Sequence, residues 1–326
     1  MRGLRIFLFI LFPLGLSGQI WLDSDGFKPE VDQQFILHTF SPESNFLDTD
    51  SELWDARSIV IKRSQAVRII APSESLYEKE FQESSLCYNL GGGNLLYAGC
   101  TEYGYYKYGG KAGETILAFS DPELYFPFPM EKGKQWSDDF QSLFKIGAIE
   151  FKRNGQIIGQ AISTGTLIMP YGVMTGVIKV KITESLRDSY EVMGNPVVSV
   201  TRNETICFLL KGNMEPLLAI TNSYVQGELV NTFGTFLEGS QVKMEKGPWR
   251  DLQVKEKAEG QRSLEFISEW DGLLELDLLD EKGKLILSIE ESKVKPGPES
   301  ISIPRESGAR YLRLRIEGQE TLIPLD

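Results

Sequence analysis

The sequence contains one histidine and three cysteines among 326 residues, and this shortage restricts the chemistry that it can support. A Ser–His–Asp or Cys–His catalytic arrangement could use only His38, in the segment FILHTF. A zinc site built from several histidines is excluded, and no Gly-x-Ser-x-Gly motif is present. We therefore expect a protein without enzymatic activity and without a bound metal or cofactor.

Positive charge is also scarce, because 34 Lys and Arg face 46 Asp and Glu and give a net charge of −12. Nucleic-acid binding needs clustered Lys and Arg, so nucleic acid is not an expected partner. The carboxylates do leave one catalytic or sugar-binding alternative. Asp138, Asp139 and Glu184 are the best placed candidates for a carbohydrate site, which needs two carboxylates about 5–10 Å apart.

Long apolar runs are absent after the first residues of the chain. Residues 1–18 combine Arg2 and Arg5, an apolar core of 11 residues from Ile6 to Leu16, and small residues at the end. This layout is typical of a secretory signal peptide, and a spanning helix would need about 20 apolar residues. We expect export to the periplasm, the cell surface or the medium, with no transmembrane segment in the mature chain.

Export to an oxidising compartment makes disulfides available to the cysteines. Cys87 and Cys100 flank LGGGNLLYAG, a turn-rich segment that could bring them together. We predict a disulfide between these two residues, with three buried free thiols as the alternative. Cys207 lies in TICFLL, an apolar strand, and is expected in the core.

Period-two alternation of apolar residues predicts a mainly β fold, with a β-rich N-terminal domain over residues 19–238. Asn154–Gly155 separates two strand-like runs and predicts a hairpin over Ile149–Ile162. VIKVKIT places Ile178, Val180 and Ile182 on one face of a strand. Helix is expected only at Ser75–Ser84.

The C-terminal part of the chain shows the clearest pattern. Residues 239–258 are polar, contain Gly and Pro, and indicate a linker or a first edge strand. Over residues 259–326, four short strands alternate between apolar and polar residues, as in LLELDLLD and YLRLRIEG. Such spacing is typical of a small antiparallel β-sandwich.

Three segments of this region resemble the immunoglobulin-like sorting domains carried by cargo of the type IX secretion system of bacteria. They are LDLLDEKGKLILS at Leu276–Ser288, YLRLRIEGQE at Tyr311–Glu320, and the terminal TLIPLD. The opening Tyr-Pro-Asn-Pro-like motif and the basic last strand of that family are missing here. The resemblance implies an immunoglobulin-like fold and a C-terminal module that contacts secretion machinery or serves in adhesion.

The middle of the chain resembles the N-terminal region of uncharacterised exported proteins from the same bacteria. The matching segments are ELYFPFPMEKGKQWSDDF at Glu123–Phe140, TGTLIMPYGVMTGVIKVKITES at Thr164–Ser185, and FLLKGNMEPLLAITNS at Phe208–Ser223. This resemblance implies no chemistry.

Four tyrosines form an aromatic cluster around Gly104, namely Tyr103, Tyr105, Tyr106 and Tyr108. Rings on an exposed face can stack on sugars or hold a partner peptide. Packing within a strand is the favoured explanation, because alternation sends Tyr103 and Tyr105 to one face and Tyr106 and Tyr108 to the other. The sequence thus predicts an exported, non-enzymatic protein with a C-terminal sorting or adhesion module and a glycan or protein ligand. The alternatives are a carbohydrate-binding or carboxylate-dependent carbohydrate-active protein, and a periplasmic lipid carrier.

Overall fold

The computed structural model describes residues 21–42, 51–242, 249–256, 262–316 and 319–325. The fold is mainly β, as predicted. The signal peptide expected at residues 1–18 lies outside the described residues. The helix expected at Ser75–Ser84 is wrong, because this segment holds only the 3-10 turn Glu78–Glu80. Phe81 is its one buried apolar side chain and Leu76 is 94% exposed, so the segment has no apolar face to support a longer helix.

Fifteen strands precede residue 238. They are β1 Trp21–Leu22, β2 Gln34–Phe40, β3 Leu53–Asp55, β4 Arg63–Ile70, β5 Leu86–Asn89, β6 Leu95–Cys100, β7 Gly104–Ala112, β8 Thr115–Pro127, β9 Met130–Glu131, β10 Gln135–Ile146, β11 Ile149–Met169, β12 Gly172–Val192, β13 Asn195–Leu209, β14 Leu218–Val225 and β15 Glu228–Leu237.

Twelve of these strands close into an antiparallel barrel. Their order is β10, β8, β7, β6, β5, β4, β2, β15, β14, β13, β12 and β11, and pairing of β11 with β10 completes the ring. The short strand β3 adds to β11 in parallel, and β1 pairs with β9 in a separate two-stranded sheet. Each ring strand therefore has one face toward the barrel interior and one face outside.

The two ends of the barrel differ. The turns at residues 147–148, 193–194 and 226–227 lie at one end, which we call the hairpin end. The other end, which we call the plug end, is filled by Phe27, whose ring contacts those of Tyr105 and Phe126 edge-on at centroid distances of 5.6 and 5.5 Å. The plug end is thus closed by packed aromatic side chains.

Seven further strands form two facing sheets that sandwich a common core. These strands are β16 Trp249–Glu256, β17 Arg262–Ser268, β18 Gly272–Leu279, β19 Leu285–Val294, β20 Gly297–Ile303, β21 Tyr311–Ile316 and β22 Gln319–Pro324. One sheet has the order β16-β17-β20, so β16 is an edge strand, and the other has the order β19-β18-β21-β22. Fully buried leucines of β18 and β21 fill the space between the sheets.

The sandwich packs against the barrel through a small apolar contact. Leu279, Tyr311 and Leu322 meet Ile168 of β11, and the Tyr311 hydroxyl donates a hydrogen bond to Asp55 Oδ2 at 3.0 Å. On the outer face of the sandwich, Asp277 is buried beneath arginines of β21 and accepts hydrogen bonds from them. The contact fixes the sandwich to the parts of β3, β11 and β12 that surround Ile168.

The hairpin predicted at Ile149–Ile162 is wrong, because β11 runs straight through Asn154–Gly155. The hairpin turn lies earlier in the sequence, at residues 147–148, and it joins β10 to β11. Gly155 serves a different purpose: a Cβ there would lie 2.2 Å from the Phe140 ring, which covers it from β10. Trp136 covers Gly159 in the same way, with a Cβ distance of 2.1 Å.

We therefore expect Gly155→Ala to destabilise the barrel by about 1–3 kcal/mol, because the new methyl group would overpack the Phe140 ring. Asn154→Ala, on the exposed face one residue earlier, should change stability by less than about 0.5 kcal/mol. Chemical denaturation of both variants measures the difference. Equal effects of the two substitutions would instead support a turn at Asn154–Gly155. If the Phe140 ring causes the loss, adding Phe140→Leu to Gly155→Ala should recover part of the lost stability.

Candidate functional site

A lysine and a glutamate face each other inside the barrel. Lys107 of β7 and Glu123 of β8 are cross-strand partners, with 3.7 Å between Lys107 Nζ and Glu123 Oε2. The same Nζ lies 3.2 Å from the centroid of the Tyr125 ring, a cation–π contact. The ammonium is thus shared between a carboxyl group and an aromatic face.

Two more carboxylates reach this region from strands on the β8 side of the ring. Asp138 of β10 and Glu184 of β12 both align with Ile157 of β11, so the three side chains share the interior face. Asp138 Oδ2 accepts the Leu124 N–H at 2.6 Å. Glu184 Oε2 accepts the Asn203 side-chain amide at 2.7 Å, and both carboxylates are only partly buried.

Glu123 is the most enclosed member of this group, with 1% of its surface exposed. Burial raises its pKa well above the ordinary value; Lys107 opposes this effect, and Glu184 and Asp138 reinforce it. Among the described residues, neither carboxyl oxygen of Glu123 has a hydrogen-bond partner. A buried carboxyl group without donors is costly to ionise, so a nearby change in charge will alter its protonation.

A fourth carboxyl group enters from the loop between β13 and β14. Burial raises the pKa of Glu215 to about 7, against the opposing effects of the Tyr88 hydroxyl and Lys107. Burial likewise raises the pKa of Tyr88 well above its ordinary value. Glu215 therefore changes charge near neutral pH.

Hydroxyl side chains line the neighbouring wall of the interior. Thr205 of β13 and Thr221 of β14 are in register and share a hydrogen bond of 2.9 Å between their Oγ1 atoms. Both face inward with Asn203, and all three side chains keep partial exposure to solvent. Their partial exposure shows that water reaches this part of the inward-facing wall.

Toward the hairpin end, the interior is covered by a second packed layer. Arg153 and Asp188 form a bidentate ion pair with two contacts of 2.7 Å. The ring of Phe151 contacts those of Phe144 and Tyr190, with centroid distances of 5.1 and 4.4 Å. The polar group around Glu123 therefore lies between two packed layers.

The structure keeps all three cysteines as free thiols and does not form the predicted Cys87–Cys100 disulfide. The two residues lie on opposite faces of the sheet: Cys87 joins an outer cluster with Phe81 and Tyr97, whereas Cys100 packs against the interior. Burial raises the pKa of Cys100 to about 11 and that of Cys207 to about 12. These thiols are therefore poor nucleophiles.

The tyrosine cluster is not gathered into one ligand face. Tyr105 is buried in the interior core, and Tyr108 packs with the outer cluster around Phe81. Tyr103 is 69% exposed in the turn before β7, and Tyr106 is half-buried within the strand. A ligand in the interior could meet Tyr105 and Tyr125, which alternation along the strands turns inward.

His38 lies on the outer face of β2, away from the interior carboxyl groups. Its Nδ1 is 2.8 Å from Ser64 Oγ, and its ring contacts Phe236. Within the described part of the chain, no carboxylate is hydrogen-bonded to this ring. The Ser64–His38 pair thus lacks the acid that orients the imidazole in a serine-type triad.

Of the three carboxylates singled out in the sequence, two share the interior. Asp138 and Glu184 face inward, whereas Asp139 is exposed outside and accepts a hydrogen bond from Gln156. Sequence reasoning missed Lys107 and Glu123. The available signal was a charged residue at an alternating position among aromatics, in YYKYG and ELYFPFP, which is unusual for a residue facing a core.

No family model, curated protein or solved structure matches the chain. Over the described residues, no group of three potential metal-ligating side chains comes together. No helix in the same residues is long and apolar enough to cross a membrane. The fold defines a mainly β protein, and the polar group inside its barrel is the candidate site.

The raised pKa of Glu215 predicts a pH-dependent stability. Between pH 4.5, its ordinary pKa, and about 7, the folded chain retains a proton that the unfolded chain has lost. The free energy of unfolding contributed by this group therefore falls as pH rises through this window. The variant Glu215→Gln cannot ionise at this position, so it does not lose this contribution. Relative to the wild type, its free energy of unfolding should therefore increase from pH 5 to pH 8 by on the order of 1–3 kcal/mol.

Urea unfolding of both chains at pH 5 and pH 8 measures this difference. The matched control is Glu228→Gln, which removes an exposed carboxylate at the β14–β15 hairpin. If the free energy of unfolding of Glu215→Gln changes between pH 5 and pH 8 by the same amount as that of the wild type, the raised pKa of Glu215 is contradicted.

Proposed function

We propose that the chain is an exported, non-enzymatic binding protein that holds a small organic molecule inside its barrel. The observation that supports this most directly is the partial exposure of polar side chains on the interior face. Asp138, Glu184, Asn203 and Thr205 all face inward and all remain accessible. They lie between two packed layers, as binding groups do in a ligand chamber.

The width of the barrel supports the same proposal. Side chains fill the interior of a barrel of about eight strands, whereas wider barrels enclose cavities. This ring has twelve strands. Between the packed plug end and the layer near the hairpin end, partly exposed polar side chains such as Asn203 and Thr205 face the interior.

A carbohydrate is the second candidate for the ligand, because Asp138 and Glu184 face the same interior on either side of β11. Two strand spacings separate their backbones by about 10 Å. Carboxylates and hydroxyls at such spacing suit the hydroxyl groups of a sugar, and Tyr125 offers a ring face. The proposal of a binding protein covers this ligand without requiring catalysis.

For the C-terminal sandwich we propose a role in sorting or adhesion at the cell surface. Its support is the resemblance of Leu276–Ser288 and Tyr311–Glu320 to type IX sorting domains. The sandwich has its own apolar core, and its contact with the barrel is small, as a module that acts independently would require.

The binding proposal predicts that filling the interior abolishes ligand uptake. Purified chain is incubated with a small-molecule extract of bacterial cells, passed through a desalting column and weighed by native mass spectrometry. We expect an added mass on the wild type and its loss in Thr205→Phe, which fills the interior. Lys181→Phe places the same ring on the exposed face of β12 and should retain the added mass.

An added mass that survives Thr205→Phe would place binding elsewhere, and its absence from the wild type would contradict the proposed function. Circular dichroism of both variants verifies that the barrel remains folded.

The sorting proposal predicts that the sandwich directs the chain to its final location. In a bacterium with a type IX system, the full chain should reach the cell surface or medium, whereas a chain ending at Val242 should remain in the periplasm. A reporter fused to residues 249–326 should follow the full chain, which guards against misfolding of the truncated barrel. The same compartment for all three products would refute the role.

A further inference from the structure

The charge inside the barrel is unbalanced. Glu123, Asp138 and Glu184 face the same region, and the electrostatic influence of the last two reaches Glu123. Lys107 is the cation that pairs with Glu123. When ionised, the three carboxylates and one ammonium leave a net charge of −2, in a space partly screened from water.

The hydrogen bonds of these carboxylates are unequal. Asp138 and Glu184 each accept a short bond from a neutral donor of the protein. Glu123 is 1% exposed, and within the described residues both of its oxygens lack a donor. Lys107 Nζ is too distant at 3.7 Å for a normal hydrogen bond and lies instead on the Tyr125 ring.

A single metal ion fits this arrangement poorly. Hard cations need several oxygens within about 2.0–2.6 Å of one point. In the described portion of the chain, no three acidic or other ligating side chains converge in that way. The carboxylates are instead distributed around a space between strands, which suits a molecule that carries its positive charge on an organic skeleton.

We propose, building on the binding function above, that the barrel ligand is an organic cation whose protonated amine is held by Glu123. An ammonium group supplies up to three N–H donors and a compensating charge. Its donors satisfy the oxygens of Glu123, and Asp138 and Glu184 flank the rest of the molecule. The ring of Tyr125, which makes the cation–π contact with Lys107, offers an aromatic face beside the same carboxyl group.

The test compares six probes that combine two skeletons with three charges. Glucosamine, glucose and glucuronate form the sugar series, and octylamine, octanol and octanoate form the alkyl series. Isothermal titration calorimetry on the full chain at pH 8 and low salt gives each affinity. We expect the amine of at least one skeleton to bind at least about tenfold more tightly than its neutral and anionic counterparts.

The anchoring residue is tested by Glu123→Gln against Asp139→Asn. Both remove one carboxylate charge from neighbouring strands, but Asp139 lies outside the barrel. Glu123→Gln should weaken the amine by at least about tenfold, and Asp139→Asn should leave its affinity unchanged. The comparison among probes uses the wild type, so it remains decisive if Glu123→Gln fails to fold.

The outcomes separate the two proposals. Equal affinities across the three charges, or tighter binding of the alcohol or carboxylate, would overturn the cation proposal and leave the binding function standing. Equal weakening by both variants would remove Glu123 as the anchor. If none of the six probes binds, the cation proposal is overturned. If, in addition, the wild type shows no added mass by mass spectrometry, the binding function is contradicted as well.

Discussion

The pairing of β10 with β11 is the constraint on which the rest of the barrel depends. These strands match residue for residue from Gln135–Gln160 to Ile146–Ile149 and turn a twelve-stranded sheet into a ring. Closure gives the sheet an interior and aligns Asp138, Ile157 and Glu184 across three neighbouring strands. It also requires Gly155 and Gly159, because Phe140 and Trp136 lie flat against them and leave no room for a Cβ.

Once the ring is closed, the burial of charge becomes its main electrostatic cost. Lys107 lies near several carboxyl groups, and burial raises the pKa of Glu123 and brings that of Glu215 to about 7. A sequence under selection for stability alone would place apolar side chains there, since such replacements are often neutral or stabilising. Retaining ionisable groups beside half-buried threonines is the pattern expected of a site that exchanges protons or donors with a ligand.

Local patterns in the sequence predicted the parts of the fold that depend on local order. Alternation predicted the strands, and the leucines of LLELDLLD lie in the sandwich core as that pattern indicates. Barrel closure could not be predicted from local patterns. It depends on β10 pairing with both β8 and β11, and this pairing is determined by the arrangement of all twelve strands. Gly155 was misinterpreted for the same reason: a glycine before a strand break and a glycine beneath a ring look alike in sequence. Asp138 and Glu184 were identified as candidates, but Glu123 became significant only through its register with Lys107.

The lengths of β11 and β12 explain how the barrel and the sandwich coexist. Each of these two strands has 21 residues and is longer than the other strands of the ring. Their additional residues extend beyond the plug end. Ile168 and Asp55 carry the sandwich on this extension, where Tyr311 docks. Because the contact lies at the plug end, the hairpin end and its covering layer of Arg153, Asp188 and Phe151 stay clear of the sandwich. The sandwich therefore takes no part in covering the hairpin end of the interior.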